Sequence, residues 1–197
     1  HRYSSAASDV YKRQPETCAV FDFDGTIISG YSATAFLKDQ IARGEISPAD
    51  LVQLTQAATR FGIGSLGFSA LMAVHAQYLE GRSEADYVAN SERLFRRAIA
   101  KLIYPEARQL IEAHRGAGHS IAIISSATPY QVLPAARDLG IKHVYATDLE
   151  VEDGQFTGGV VRPTCFGIGK VHAAERFTAE QGSNCLLYTS PSPRDIS

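Results

Sequence analysis

Val20-Phe21-Asp22-Phe23-Asp24-Gly25-Thr26 is the stretch of sequence that decides the fold. The apolar run from Cys18 to Phe21 is short and does not alternate with polar residues, which is typical of a buried parallel strand. Two carboxylates, Asp22 and Asp24, follow it before a glycine turn. Sites in open α/β sheets lie outside the carboxyl ends of strands, so these acids are well placed for chemistry. A solvated strand end with an Asp-Gly turn is the alternative interpretation.

The second half of the chain shows strands and helices in alternation, which favours an α/β fold with a parallel sheet. Asp153-Gly154, flanked by alternating residues, indicates a β-hairpin. The other predicted elements are a strand over Ser120–Ile124, a helix over Pro129–Leu139, a strand over His143–Ala146 and a helix over Gly169–Gln181.

Residues 31–102, which follow the first strand, form a run of predicted helices without a strand between them. Ser47-Pro48 and Ser83 are typical helix starts, and another helix is predicted over Ser65–Leu79. The pattern G-x-G-x-x-G in Gly62–Gly67 follows a helix, whereas a dinucleotide-binding loop must follow a strand, so we interpret it as a turn. This segment has the size of a small helical cap.

Polar side chains also lie at the ends of two further predicted elements. Ser125 follows the strand SIAII, and Lys170 begins a helix after a glycine-rich turn. An acid pair, a hydroxyl and an ammonium group suit phosphoryl transfer, in which positioning and neutralisation of negative charge provide most of the catalysis. Taken alone, Ser125 is as easily a turn residue and Lys170 a solvated helix residue.

Taken together and in order, these residues resemble motifs one, two and three of the haloacid dehalogenase (HAD) superfamily. The spacing and the helical insertion are similar to subfamily IB, the phosphoserine-phosphatase-like group. The resemblance implies a Rossmann-like parallel sheet with a C1-type helical cap inserted after the first strand. It also implies a Mg²⁺-dependent hydrolase of small phosphorylated metabolites that acts through an aspartyl phosphate.

The same resemblance assigns roles to individual residues. Asp22 would be the nucleophile and a Mg²⁺ ligand, and Asp24 the acid and base, with its backbone carbonyl on Mg²⁺. Lys170 would steady the nucleophile and the phosphoryl group. The residues expected to contact phosphate or substrate are Thr26, Tyr31, Ser125 and Ser126. Tyr31 stands where phosphoserine phosphatases carry a Glu for the substrate ammonium, so phosphoserine is not favoured as the substrate.

The two ends of the chain are related through the genetic code. Asp9–Gln14 can be encoded as GAT GTG TAT AAG AGA CAG, and the reverse complement, read one base on, encodes Cys185–Ser190. We interpret residues 1–14 and 185–197 as translated sequencing-adapter tails, which are left out of fold reasoning.

This interpretation divides the remaining chain into an incomplete HAD core, residues 15–30 and 103–184, and the cap, residues 31–102. The fourth HAD motif, which supplies further acids to Mg²⁺, would then be missing, with Ser190 where an Asp is expected. We therefore expect the chain of 197 residues to be a weak phosphatase at best.

Composition excludes several classes of protein. The formal net charge is −2, and no basic patch indicates binding to nucleic acid. No apolar run has the length of a transmembrane helix. Cys18 and Cys165, the cysteines outside the predicted tails, indicate neither a disulfide framework nor a zinc site. They suit a reducing compartment, so we expect a cytoplasmic protein.

Three alternatives remain open at this point. The chain could be a phospho-accepting module, in which an Asp is modified without turnover, or a catalytically silent HAD-like binding module. It could also be the phosphatase-like part of a bifunctional protein in which a lipid acyltransferase domain follows.

Overall fold

A four-stranded parallel sheet is the centre of the molecule. The structure, a computed structural model, describes residues 17–182 and the backbone of residues 186–189. The strands are β1 (Thr17–Phe21), β2 (Ser120–Ile124), β3 (His143–Tyr145), β4 (Leu149–Glu152), β5 (Gln155–Val160) and β6 (Leu186–Thr189). The strand order in the large sheet is β3-β2-β1-β6, and β4 and β5 form a separate antiparallel hairpin. The backbone of β6, which pairs with β1, falls within the stretch predicted to be an adapter-derived tail.

The helices lie where the sequence predicts them. They are α1 (Ser32–Ala42), α2 (Pro48–Gly62), α3 (Phe68–Leu79), α4 (Glu84–Leu94), α5 (Pro105–Gly116), α6 (Pro129–Asp138) and α7 (Ile168–Glu180). The hydroxyl oxygens of Ser47 and Ser83 accept the backbone N–H groups of Asp50 and Asp86, which confirms both predicted N-caps.

Two helix boundaries differ from the prediction. Helix α3 begins at Phe68 instead of Ser65, because Gly67 has extended backbone angles. Helix α4 ends at Leu94, and the stretch predicted to continue this helix through Phe95 and Ile99 is instead a π-helical turn, Phe95–Ile99, followed by a 3₁₀ turn, Ala100–Leu102. The continuation carries the helical segment back to the sheet.

Apolar side chains cover both faces of the sheet. Because side chains alternate along a strand, Phe21 and Ile123 face one side and Val20 and Ile124 the other. The first side packs on α5, α6 and the α1–α4 segment, and the second packs on Phe177 of α7. Burial on both faces explains why β1 and β2 are continuous apolar runs in the sequence.

The chain passes from the sheet to the α1–α4 segment and back through two adjacent crossings. Ile28 forms an antiparallel bridge with Ile103. The N–H of Ser29 donates to the carbonyl of Leu102 at 2.8 Å, and the N–H of Tyr104 donates to the carbonyl of Ile27 at 3.0 Å. These bonds join the two crossings into one connection beside the first strand.

Two further observations concern the composition. Cys18 is disulfide-bonded, and Cys165 is free and buried, so the two cysteines are not bonded to each other. Across residues 17–182, every helix is too short or too polar to cross a membrane.

Candidate active site

Asp22 and Lys170 form the centre of the site. Asp22 is the first residue after β1, and Lys170 lies in the first turn of α7. The Nζ of Lys170 is 2.8 Å from Oδ2 of Asp22, and the other oxygen, Oδ1, accepts the N–H of Phe23 at 2.7 Å. The Asp22 side chain is 42% exposed, so its carboxyl group is accessible to a substrate. A carboxylate in this position can act as a nucleophile.

A close approach of two backbone segments positions Lys170. A Cβ added at Gly169 would lie 1.9 Å from the carbonyl oxygen of Thr164, so only glycine fits there. Gly167, which precedes α7, has φ of +55°, in a region that favours glycine. The glycine-rich turn of the sequence therefore serves to bring the start of α7 against the end of the sheet.

Ser125 lies at the end of β2, the strand next to β1. Its N–H donates to the carbonyl of Tyr145 at 2.9 Å, and its Oγ accepts the N–H of Ala127 at 3.1 Å. Since Phe21 pairs with Ile123, Asp22 and Ser125 emerge at the same edge of the sheet. The Ser125 hydroxyl keeps its own hydrogen for an acceptor such as a phosphoryl oxygen.

Asp24 has surroundings quite different from those of Asp22. Its Oδ1 accepts the N–H of Ser32 at 2.7 Å, and its Oδ2 accepts the Ser32 hydroxyl at 3.2 Å. Burial raises the pKa of the Asp24 carboxyl, with a smaller contribution from nearby Asp22; the Ser32 bonds and Lys170 act in the opposite direction. Two acids two residues apart thus have environments that suit a nucleophile and a proton donor, respectively.

Ser32 is a site residue that the sequence analysis missed, and so is its neighbour Gln131. Gln131 follows Thr128 by three residues at the start of α6, and its side chain accepts the Thr128 N–H at 2.8 Å. The spacing of a Thr and a Gln in a capping box was the signal that could have found it. No local signal marks Ser32.

Thr26 and Tyr31, both predicted to contact substrate, lie on either side of the first crossing. Thr26 is half-buried, and its N–H donates to the carbonyl of Phe23 at 3.3 Å. Tyr31 is 56% exposed and lines a cavity of about 530 Å³ together with Lys38 and Lys101. The residues that line this cavity do not include Asp22, Ser125 or Lys170.

Comparison with known proteins now identifies the family. Residues 19–197 match the family model of haloacid dehalogenase-like hydrolases. The chain belongs to this family. It is 32% identical over 198 residues to phosphoserine phosphatase SerB1 of Mycobacterium tuberculosis H37Rv, covering 94% of this chain and 63% of that protein. It is 30% identical over 179 residues to "Probable phosphatase Rv3661" of the same strain, covering 88% of this chain and 62% of that protein. The chain thus spans less than two thirds of the length of these relatives.

Solved structures share the haloacid dehalogenase fold with this chain. A protein of unknown function from Bordetella pertussis Tohama I superposes with a TM-score of 0.81 at 24% identity, over 89% of this chain and 82% of that one. A substrate-bound phosphoserine phosphatase superposes with a TM-score of 0.63 at 19% identity, over 94% of this chain and 82% of that one. The predicted α/β class with a parallel sheet is confirmed.

The oxygen atoms that this site offers as metal ligands fit Mg²⁺ only in part. Asp22 offers an exposed carboxylate, a hard oxygen ligand of the kind that Mg²⁺ prefers. The Asp24 carboxylate is engaged by Ser32, which leaves its backbone carbonyl for the role that the resemblance implies. Residues 17–182 contain no group of three or more His, Cys, Asp or Glu side chains that could bind a metal. Ser190, at the expected position of the fourth motif, lies outside the described residues.

The helical segment touches the haloacid dehalogenase core at a second place, beside Lys170. Phe68 of α3 stacks on Phe166 with ring centroids 4.5 Å apart, and Phe61 packs edge-on against both rings. Next to them, the hydroxyls of Ser69 and Thr164 are 3.1 Å apart. We call these five residues the aromatic contact. It joins α2 and α3 to the loop that precedes α7 and Lys170.

Proposed function

We propose that this protein is a Mg²⁺-dependent phosphomonoester hydrolase that acts through an aspartyl phosphate on Asp22. The observation that carries the proposal is the pair of unlike acids: Asp22, accessible and ion-paired with Lys170, and Asp24, enclosed, with a raised pKa. The substrate class is a small phosphorylated metabolite. Tyr31, in place of the Glu of phosphoserine phosphatases, favours a substrate without an ammonium group at that point.

In the first step, a carboxylate oxygen of Asp22 attacks phosphorus. A P–O bond to Asp22 forms, and the P–O bond to the leaving alcohol oxygen breaks. Asp24 gives its proton to that oxygen, so a neutral alcohol departs. Lys170 and the Ser125 hydroxyl face the phosphoryl oxygens and oppose their negative charge.

In the second step, water attacks the phosphorus of the aspartyl phosphate. Asp24, now ionised, takes a proton from the water, and the bond between phosphorus and Asp22 breaks. Inorganic phosphate leaves, and both acids return to their starting states. When bound by the Asp22 carboxylate and the Asp24 carbonyl, Mg²⁺ would reduce the repulsion between the phosphate and the nucleophile.

A single-turnover assay tests the proposal. Because we expect weak Mg²⁺ binding, the full chain is kept in excess over a set of small phosphomonoesters, and Mg²⁺ is raised stepwise. We expect slow hydrolysis that increases with Mg²⁺, stops on addition of chelator, and is lost in Asp22→Asn. Acid-quenched samples should contain phosphate on the peptide that includes Asp22.

The matched control is Asp138→Asn, since Asp138 lies at the end of α6 and pairs with Arg108. This variant should retain the activity of the wild type. Hydrolysis that survives Asp22→Asn would refute the covalent route. Phosphate that accumulates on Asp22 without release would instead favour a phospho-accepting module.

A further inference from the structure

A chain of buried hydrogen bonds connects Asp24 with the loop after β2. Asp24 accepts the N–H and the hydroxyl of Ser32, and the Nε2 of Gln131 is 3.2 Å from Oγ of Ser32. The Oε1 of Gln131 accepts the N–H of Thr128 at 2.8 Å and the Thr128 hydroxyl at 2.9 Å. The chain thus includes one residue from the Asp24 loop, one from α1 and two from the start of α6.

The direction of every bond in this chain follows from one donor. A backbone N–H can only donate, so the Gln131 atom that faces the Thr128 N–H must be the amide oxygen. The amide nitrogen of Gln131 therefore faces Ser32 and donates to its Oγ. The Ser32 hydroxyl is then left to donate its own hydrogen to Asp24.

Three of the four residues in the chain are almost completely removed from solvent. Ser32 is 0% exposed, Thr128 1% and Gln131 7%. Buried polar groups are costly unless they are paired, and water cannot replace a bond that is lost here. The side chain of Gln131 therefore has a defined orientation, with both ends bonded.

The bond between Ser32 and Asp24 also provides the N-terminal capping that α1 otherwise lacks. Tyr31, the N-cap of α1, makes no side-chain capping bond, and the first N–H groups of a helix have no partner within it. Asp24 accepts the N–H of Ser32, the first residue of α1. This bond and the one from the Ser32 hydroxyl determine where the Asp24 carboxyl points, because each of its oxygens has a partner.

We propose that Ser32 and Gln131 are positioning residues that orient Asp24 for proton transfer, a role that rests on the proposed function. Ser32 belongs to the first helix of the inserted segment, and Gln131 belongs to the core. The orientation of Asp24 therefore depends on how that segment is seated on the core. Each carboxyl oxygen retains a lone pair beyond its bond to Ser32, so one can carry the proton given to the leaving group.

The first test measures the positioning without any catalysis. Amide hydrogen exchange is followed by NMR in the wild type, in Gln131→Met, which keeps the bulk of the side chain, and in Gln40→Met. Gln40 is also buried and lies two turns further along α1. We expect exchange of the Ser32 N–H to become about tenfold faster in Gln131→Met and to be unchanged in Gln40→Met. Unchanged Ser32 exchange in Gln131→Met would overturn the proposal.

The second test uses the leaving group. An alkyl phosphate needs a proton from Asp24 as its alcohol departs, whereas an aryl phosphate such as p-nitrophenyl phosphate needs little help. In Gln131→Met and Ser32→Ala we expect kcat/KM for the alkyl ester to fall by about tenfold or more, and for the aryl ester to change much less. General loss of structure would lower both values equally, and that result would overturn the positioning role.

A double-mutant cycle shows whether Gln131 acts through Ser32. The variant with both substitutions should be no worse on the alkyl ester than Ser32→Ala alone, because the path to Asp24 is already broken. Fully additive losses would contradict the proposal. Ser91→Ala, which removes another buried serine hydroxyl from the helical segment, is the matched control and should leave both esters unaffected.

These results separate the two proposals. Activity that persists in Asp22→Asn defeats the proposed function, while the exchange of the Ser32 N–H still tests the positioning. Activity that depends on Asp22 but shows no selective loss with alkyl esters defeats only the positioning role.

Discussion

The core and the inserted helical segment position their polar side chains in different ways. In the core, Asp22 and Ser125 follow directly from the ends of paired strands, and Lys170 is placed by a backbone approach at Gly169. In the helical segment, long side chains meet each other instead. Asp39 is 3% exposed and is contacted by Arg43, Arg93 and Arg97 at 2.9, 2.8 and 2.6 Å.

The difference concerns how each region responds to a substitution. A site built on backbone geometry can lose a reactive side chain while the fold remains intact. A region built on side-chain contacts loses packing or charge pairing when one of the contacting side chains is removed, because a buried carboxylate such as Asp39 is costly without its partners. We therefore expect core substitutions to affect chemistry and substitutions in the helical segment to affect stability and seating.

The largest effect is expected for Lys170→Met. The ammonium group pairs with Asp22, but Lys170 is 30% exposed and its removal opens no buried cavity. We expect kcat/KM to fall by about a thousandfold, as when a charge-stabilising donor is removed from an active site, with little change in thermal stability.

Activity assays and thermal melts on the same preparation provide the measurement. The exposed Lys142, on the loop before β3, offers the control Lys142→Met, which should match the wild type in both. A Lys170→Met protein that melts far below the wild type would contradict the separation of chemistry from stability in the core.

The core site was the part of the molecule most open to prediction from sequence. Apolar runs, glycines and helix caps are local signals, so the strands and most helix ends were located. Parallel strands then bring Asp22 and Ser125 to one edge by topology alone. Lys170 was predicted from its place after the glycine turn, and its Nζ lies 2.8 Å from Oδ2 of Asp22.

The contacts that the sequence did not predict are those between side chains far apart in the chain. Gln131 reaches Ser32 across 99 positions, and Ser69 reaches Thr164 across 95. Such pairs depend on how the helical segment packs on the core, which neither apolar periodicity nor a helix cap predicts. The run of helices was predicted to reach residue 102, but the π-helical turn within it, where Phe95 and Ile99 pack in the core, was not distinguished from α-helix.

The second-largest effect is expected in the pH dependence of stability, through His75 in the helical segment. Burial lowers the pKa of His75 in α3 to about 4, from about 6.5 for an unperturbed histidine. Its Nε2 is buried and has no hydrogen-bond partner among residues 17–182. Since the unfolded chain binds the proton more readily, the stability contributed by neutral His75 is present above pH 6.5 and is lost as pH falls towards 4.

We expect His75→Leu to remove this contribution to the pH dependence, about 3 kcal/mol between pH 7 and pH 4. Urea denaturation at several pH values measures the free energy of unfolding of both proteins. The difference between them at pH 7.5, where His75 is neutral in both states, is the internal control. Equal pH dependence in the two proteins would mean that the pKa of His75 is the same in the folded and unfolded states.

The smallest effect is expected at the aromatic contact, where the two regions meet beside Lys170. Phe166 is 44% exposed, so Phe166→Ala removes a ring that is only partly buried, and the paired crossings near Ile28 and Ile103 remain. A double-mutant cycle with Phe68→Ala should give a coupling energy of about 1 kcal/mol, as for other stacked aromatic pairs. Val171→Ala, a similarly exposed apolar change on α7, should show no coupling with Phe68→Ala. A coupling energy near zero for Phe68 and Phe166 would mean that the helical segment is seated by its crossings alone, and that the loop before Lys170 is positioned by the core without this contact.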